Sequence, residues 1–270
     1  MAATDKLFAG SIPEIYDGLL VPLIFESYAR DLAERVTRLE PRKILETAAG
    51  TGVLTRALGS RLPATARIVA TDLNKPMLDR AAQRQHQDGR IAWQQADALT
   101  LPFEDAEFDV VACQFGVMFF PDKVRAYREA RRVLKPRGHF IFSVWDRISE
   151  NEFADVVTAA MAAVFPKDPP AFLARVPHGH HDVQTIREGL IAAGFESVSV
   201  DTLDAASRAR SPREAAVAYC QGTPLRNEIE ARDASRLEAA TAAAAEALAR
   251  RFGNGAIKGR IRAHVITARR

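Results

Sequence analysis

Lys43-Ile44-Leu45-Glu46-Thr47-Ala48-Ala49-Gly50-Thr51-Gly52 is an apolar run that ends on an acid and breaks into a glycine turn. Leu54, Ala57, Leu58 and Leu62 follow at helical spacing, so the segment reads as strand, turn, helix. The unit then repeats: Arg67 to Asp72 reads as a strand, Pro76 to Gln85 as a helix entered through proline, and Asp88-Gly89 as its stop. Ile91 to Asp97 is the third strand and Phe108 to Gln114 the fourth, with Val110-Val111-Ala112 apolar enough for burial on both faces. Asp122 caps a helix carrying Val124, Tyr127, Ala130, Val133 and Leu134, and Pro136-Arg137-Gly138 ends it before a strand from His139 to Trp145. Alternation over this length predicts an α/β fold with a doubly wound, mostly parallel sheet and right-handed crossovers.

Upstream, Ala29, Leu32, Ala33, Val36 and Leu39 form a helical face stopped by Pro41. Downstream the pattern loosens. Ser149 and Glu152 read as a capping box for a helix to about Val164, followed by a Pro-rich loop from Pro166 to Pro177 and a cluster of His178, His180 and His181. Asp182 caps a helix ending at Gly194, and Phe195 to Leu203 reads as the sixth strand. Ser211-Pro212-Arg213-Glu214 is another capping box, Ser235 to Phe252 an alanine-rich helix, and Arg260 to Ala268 a last strand. These spans predict one domain: cap helices over 1–40, a core over 41–145, and lid segments over 146–181 and 204–258. The stretch from Ala205 to Lys258 is expected as an excursion over the sheet.

Composition narrows the function. Hydrophobic residues make up 47% and charged residues 26% of 270, which suits an ordinary globular protein. A net charge of +3, with only the short arginine pairs Arg131-Arg132 and Arg269-Arg270, argues against a nucleic-acid partner. The apolar patch Leu19 to Phe25 is too short for a membrane span and contains Pro22. Cys113 and Cys220 make neither a disulfide framework nor a thiolate metal site, no secretory leader is legible, and a reducing cytoplasm is the expected compartment. The histidines are spaced too tightly on a loop to converge on one ion, so no metal is expected; His86, His139 and His264 are scattered and read as solvent-facing or structural.

In open parallel sheets ligands bind beyond the carboxyl ends of the strands, and here those ends are Glu46, Asp72, Asp97 and Gln114. Three acids at successive strand ends call for a ligand with positive charge or hydroxyl and amino donors. A dinucleotide competes, because Gly50, Gly52 and Asp72 partly match its fingerprint, but Thr55 occupies the third glycine position and Glu46 opposes a pyrophosphate. A cationic nucleoside without phosphate fits better.

On these residues the chain resembles the class I S-adenosylmethionine-dependent methyltransferases, in the type 11 branch that includes quinone-biosynthesis enzymes. The likeness covers Ile44 to Trp145, with Ala48 in place of the first glycine of the family's acid-to-glycine motif. It implies S-adenosylmethionine as cofactor, a seventh strand joining as an antiparallel edge, and the following roles. Glu46 faces the cofactor's ammonium, and Thr47, Ala48, Gly50 and Gly52 line the methionine and ribose. Asp72 holds the ribose hydroxyls, Leu73 and Met77 cover the adenine, and Asp97 with the Ala98 N–H reads its edge. Gln114 and Phe115 lie under the sulfonium.

Methyl transfer needs alignment more than catalytic groups, and the acceptor is expected to be a small molecule. Where a proton must leave, His180, His181 and Tyr16 are the candidates, with His178 beside them. The acceptor pocket is expected from Ile15, Tyr16 and Tyr28, the loop Phe172 to His181, and Tyr219 to Leu225. The alternative is a protein that binds the same cofactor for regulation or for a reaction other than methyl transfer. Neither the acceptor, the atom methylated nor the oligomeric state is legible.

Overall fold

A computed structural model describes residues 3–85 and 87–270, so His86 lies outside the described residues. Seven strands, β1 (Lys43–Glu46), β2 (Arg67–Asp72), β3 (Ile91–Gln95), β4 (Phe108–Gln114), β5 (Leu134–Trp145), β6 (Ser197–Ala209) and β7 (Ile257–Arg269), form one sheet. Their order is β3-β2-β1-β4-β5-β7-β6. β1 pairs in parallel with both β2 and β4, β2 with β3, and β4 with β5. Strand order therefore reverses between β1 and β4, which opens a crevice at their carboxyl ends.

The last strand is not the edge. β7 lies between β5 and β6, and the β6 edge extends from Ser197 to Ala209, beyond the stretch expected to end at Leu203. β7 is antiparallel to both neighbours: Arg270 at its end bonds Gly138 near the start of β5, while Ser199 reaches Thr267 and Thr202 reaches His264. His264 is thus tied to Thr202 across the ladder, a structural placement. β3 is shorter than expected, because Asp97 leaves the strand to bridge Thr100.

Contacts divide the chain into two compact units, one made of residues 27–144, 180–203 and 263–270, the other of residues up to 26, 145–179 and 204–262. In the first unit Leu32, Ala33 and Val36 from the helix Glu26–Thr37 and Leu54 and Leu58 from the helix Val53–Gly59 pack on Ile44, Ile68, Val110, Ala112 and Ile141. The strands are buried almost continuously, with alternate residues facing these helices, as the apolar run of β4 predicts. Elsewhere in that unit Tyr127 lies against Phe140 and Phe142, and Phe140 against Phe195.

In the second unit the helices Glu152–Val164, Pro212–Gln221 and Leu237–Phe252 pack on one another. Alanines allow the close approach: Ala240, Ala244, Ala215, Ala216 and Ala218 are buried, with Cys220 among them. Ser211 caps its helix as expected by accepting the Glu214 N–H. Ser149 does not: it falls in a 3-10 turn, Asn151 precedes the helix, and the Glu152 carboxylate is taken by the Arg260 N–H and the Arg251 guanidinium. Tyr16–Phe25 is a π-helix, in which the Glu26 N–H closes on the Val21 carbonyl five residues back. Such wide turns accommodate Pro22, whose missing N–H and ring disrupt regular α-helical bonding.

Candidate functional site

The turn after β1 is sewn into the sheet from both sides. The Thr47 N–H donates to the Ala112 carbonyl of β4 and the Ala49 N–H to the Thr71 carbonyl of β2, each at 2.9 Å. Between these anchors Ala48 takes φ 53°, and just beyond them Gly50 and Gly52 take 56 and 79°. Glycine is required at 52, where a Cβ would come within 2.9 Å of the Trp93 ring and 3.1 Å of the Ala81 methyl. Ala48 has a side chain in the left-handed region, at a cost of about 1–3 kcal/mol.

Space for the Ala48 methyl comes from Gly116, at which a Cβ would meet it at 2.4 Å and Cys113 Sγ at 2.7 Å. Gly116→Ala is therefore expected to destabilise the fold by roughly 1–3 kcal/mol, through overpacking, read as a lower denaturation midpoint. Adding Ala48→Gly should recover part of that loss. Strict additivity of the two changes would show that the positions do not share the space.

Two acids frame the turn. Glu46 is 1% exposed, and its Oε2 accepts the Thr55 hydroxyl at 2.6 Å. Burial pushes its carboxyl up to about 8, reinforced by the Asp72 charge and opposed by the Thr55 hydrogen bond and Arg56. Asp72 braces the turn directly: Oδ2 accepts the Gly50 N–H and Oδ1 the Asn74 N–H, each at 2.8 Å. Burial raises its carboxyl above the usual range, and those backbone donors oppose the rise. Oδ2 keeps a further lone pair for a ligand hydroxyl, while Oδ1 also takes the Asn74 side-chain amide at 3.4 Å.

The remaining positions read for the cofactor gather at the same strand ends. Leu73, next to Asp72, is 44% exposed, an apolar side chain open to solvent, whereas Met77 is buried in packing. Asp97 is exposed and spends one oxygen on the Leu99 N–H at 2.9 Å, with Ala98 inside that turn. Gln114 ends β4, and Phe115 follows at φ 51°, its N–H on the Ser143 carbonyl and its ring edge-on to Tyr28 at 5.4 Å. Ala48 and Phe115 thus both hold left-handed backbone, one on either side of the β1–β4 crevice. The Thr51 hydroxyl is 1% exposed with no hydrogen-bond partner, an orphan that a ligand or water at the turn would satisfy. The residues present therefore fit a nucleoside carrying a cationic amino-acid tail.

Several parts of this site are not apparent from the motif alone. Thr55 on Glu46, Thr71 donating its hydroxyl to the Glu46 carbonyl at 2.9 Å, and Trp93 behind Gly52 are brought there by folding. Of these, only Thr55 carries a sequence signal, as a hydroxyl one helical turn after the glycines.

The proton-transfer candidates are divided between the two units. His180 and His181 belong to the sheet unit, Tyr16 and His178 to the other. His180 shares a 3.2 Å hydrogen bond with the Tyr127 hydroxyl, and burial together with the Lys123 and His181 charges pushes its imidazole down to about 4. It is neutral and weakly basic at pH 7, which departs from the near-neutral titration expected of a loop histidine. His178 is buried against the Trp145 ring with Nδ1 on the Asp146 carbonyl at 2.8 Å, so that nitrogen carries the proton. Tyr16 stacks obliquely on Phe25 at 5.2 Å.

An open sheet reversing beside an acid-to-glycine turn, with a second acid closing that turn, places the chain among the α/β proteins of Rossmann-like architecture. A methyltransferase-domain family model matches residues 45–142. The chain is 32% identical over 181 residues to the ubiquinone/menaquinone biosynthesis C-methyltransferase of Idiomarina loihiensis, covering 60% of this chain and 69% of that protein. Among solved structures it is similar in fold to Haemonchus contortus phosphoethanolamine N-methyltransferase 2 in complex with S-adenosyl-L-methionine, with a TM-score of 0.62 and 14% identity over 100% of this chain and 60% of that one. It is also similar in fold to the [4+2]-cyclase SpnF, with a TM-score of 0.57 and 19% identity over 91% and 81%. The chain belongs to the class I S-adenosylmethionine-dependent methyltransferases.

Proposed function

We propose that this enzyme methylates a small-molecule acceptor with the cofactor held entirely by residues of the sheet unit. The observation that carries the reading is the left-handed turn at 48–52, framed by buried Glu46 and Asp72 with the orphan Thr51 hydroxyl inside it. When bound, S-adenosylmethionine supplies an electrophilic methyl and a neutral thioether leaving group. Asp72 accepts from the ribose hydroxyls while keeping its two backbone donors, and Glu46 in its charged form receives the ammonium. Leu73 covers the adenine, Asp97 and the Ala98 N–H read its edge, and Gln114 and Phe115 border the methyl. The chain's work is alignment and exclusion of water, and the acceptor's proton passes to solvent water once the methyl has been transferred.

The C-methyltransferase relatives make a carbon acceptor the first to test. Labelled S-adenosylmethionine should bind in equilibrium dialysis where NADH does not, and a metabolite extract incubated with protein and labelled cofactor should yield species heavier by one methyl. Binding without any methylated product would favour the regulatory or non-methyl alternative. Binding of NADH alone would overturn the cofactor reading.

Acceptor selection is assigned to the unit that holds Tyr16, and the expected lid segments fall largely within it. Asp5 in that unit is buried and grips the Arg175 guanidinium with both oxygens at 2.7 and 2.8 Å, so the N-terminal segment is fastened rather than loose. Removing residues 1–16 is expected to lower turnover while leaving cofactor affinity largely unchanged, since every cofactor residue lies in the other unit. Full turnover by the shortened protein on its acceptor would refute that assignment. No helix among the described residues is long and apolar enough to cross a membrane.

A further inference from the structure

We propose that Arg56 is a positioning residue for cofactor binding, holding the glycine turn through the Thr51 carbonyl and supplying the positive charge that keeps Glu46 receptive to the cofactor's ammonium. The inference rests on the cofactor reading above and adds a residue that the acid-to-glycine motif does not contain.

A cation so close to a site for a cationic ligand looks misplaced, and the geometry resolves this. Arg56 Nη1 donates to the Thr51 carbonyl at 2.6 Å. A Cβ on Gly52 would come within 3.3 Å of the same nitrogen, alongside the Trp93 ring and Ala81. The guanidinium therefore lies against the packed side of the turn, held by its own hydrogen bond. Because Arg56 adjoins Thr55, whose hydroxyl sits on Glu46 Oε2, one helical turn delivers both a hydrogen bond and a positive field to the buried carboxylate.

The other groups facing Glu46 work against its charge or are neutral. Asp72 on β2 raises its carboxyl, Cys113 on β4 is a thiol kept neutral by burial, and Thr71 donates only to the Glu46 carbonyl. Against burial work first the Thr55 hydrogen bond and then the positive charge of Arg56, and opposite charge favours the ionised form. A lysine in its place keeps the charge but lacks the planar fork that fixes a guanidinium on a carbonyl.

The test is S-adenosylmethionine affinity of the wild type, Arg56→Gln and Arg56→Lys by calorimetric titration from about pH 6 to 10, read as the ratio of variant to wild-type dissociation constant. The ratio cancels titration of the ligand's own amine. For Arg56→Gln it is expected to be several-fold below pH 8, because the Glu46 midpoint rises when the positive charge is removed, and to fall toward one at the alkaline end. Arg56→Lys should keep the wild-type midpoint with a small loss at all pH values. A loss in Arg56→Gln that is uniform with pH would reduce Arg56 to a brace and overturn the charge role, as would a ratio of one throughout. Should Arg56→Gln fail to fold, a shifted midpoint in Arg56→Lys would likewise overturn it. A wild type that binds no S-adenosylmethionine would overturn the cofactor reading itself, and a wild type that binds with no pH dependence would leave that reading standing but overturn the role of Glu46 and with it the charge role of Arg56.

Discussion

Glu46→Gln is expected to make the free protein more stable at alkaline pH and to abolish most of its cofactor affinity. Burial holds the Glu46 carboxyl at about 8 against an ordinary 4.5, so between those values the folded chain keeps a proton that the unfolded chain has released. Stability then falls as pH rises through that window, because the unfolded state binds fewer protons. The raised acid costs nothing below about 4.5 and its full penalty, on the order of 5 kcal/mol, above about 8. Glutamine removes the titration and still accepts the Thr55 hydroxyl through its amide oxygen, so melting curves of variant and wild type should coincide near pH 5 and separate by pH 9, with the variant higher. Binding moves the other way. The charge-assisted bond to the ammonium is worth roughly 1.5–3 kcal/mol, so at or above about pH 8, where Glu46 is ionised in the wild type, affinity should drop by about ten- to a hundredfold, and by less at lower pH. The wild type should also release a proton on binding near pH 7, seen as a dependence of the binding heat on buffer, and the variant should not. A variant that melts lower than wild type at pH 9, or that binds equally well, would contradict the role given to this carboxylate.

That opposition between stability and binding bears on what could be read before the fold was known. β1, β2 and β4 run over the residues predicted, Lys43–Glu46, Arg67–Asp72 and Phe108–Gln114, because strands flanked by packed helices are continuous apolar runs with sharp polar ends. Those polar ends are the site, so finding the strands found the acids. What escaped was long-range or non-periodic. The place of β7 between β5 and β6 depends on pairing across the sheet, and a late strand carries no local mark of its neighbours. Ser149 and Glu152 have capping-box spacing, yet Arg251 and the Arg260 backbone outcompete Ser149 for that glutamate. The π-helix around Pro22 has no period that an α-helical template detects. His180 looked like a solvated loop base because its burial against Tyr127 comes from residues more than fifty positions away.

Asp72→Ala is expected to damage both the turn and the affinity, more than its motif role alone implies. As a ribose ligand only, its loss would leave the fold unaffected. In the structure it also accepts the Gly50 and Asn74 N–H groups, and leaving a buried donor unsatisfied costs about 1–3 kcal/mol, reduced where water can enter. Melting temperature should therefore fall, and S-adenosylmethionine affinity should drop by about a hundredfold or more as the ribose acceptors and the braced turn are lost together. Asp72→Asn should not rescue either property, because its amide nitrogen would face a backbone donor where the carboxylate offered an oxygen. The residual binding carries a further signature. Asp72 is the negative charge that raises Glu46, so without it Glu46 ionises at lower pH, and the pH at which affinity climbs should move below that of the wild type. This is opposite in sign to the shift expected for Arg56→Gln. If both variants moved the midpoint in the same direction, or neither moved it, Glu46 would not be the group whose charge controls cofactor binding, and the electrostatic account of the turn would fall with it.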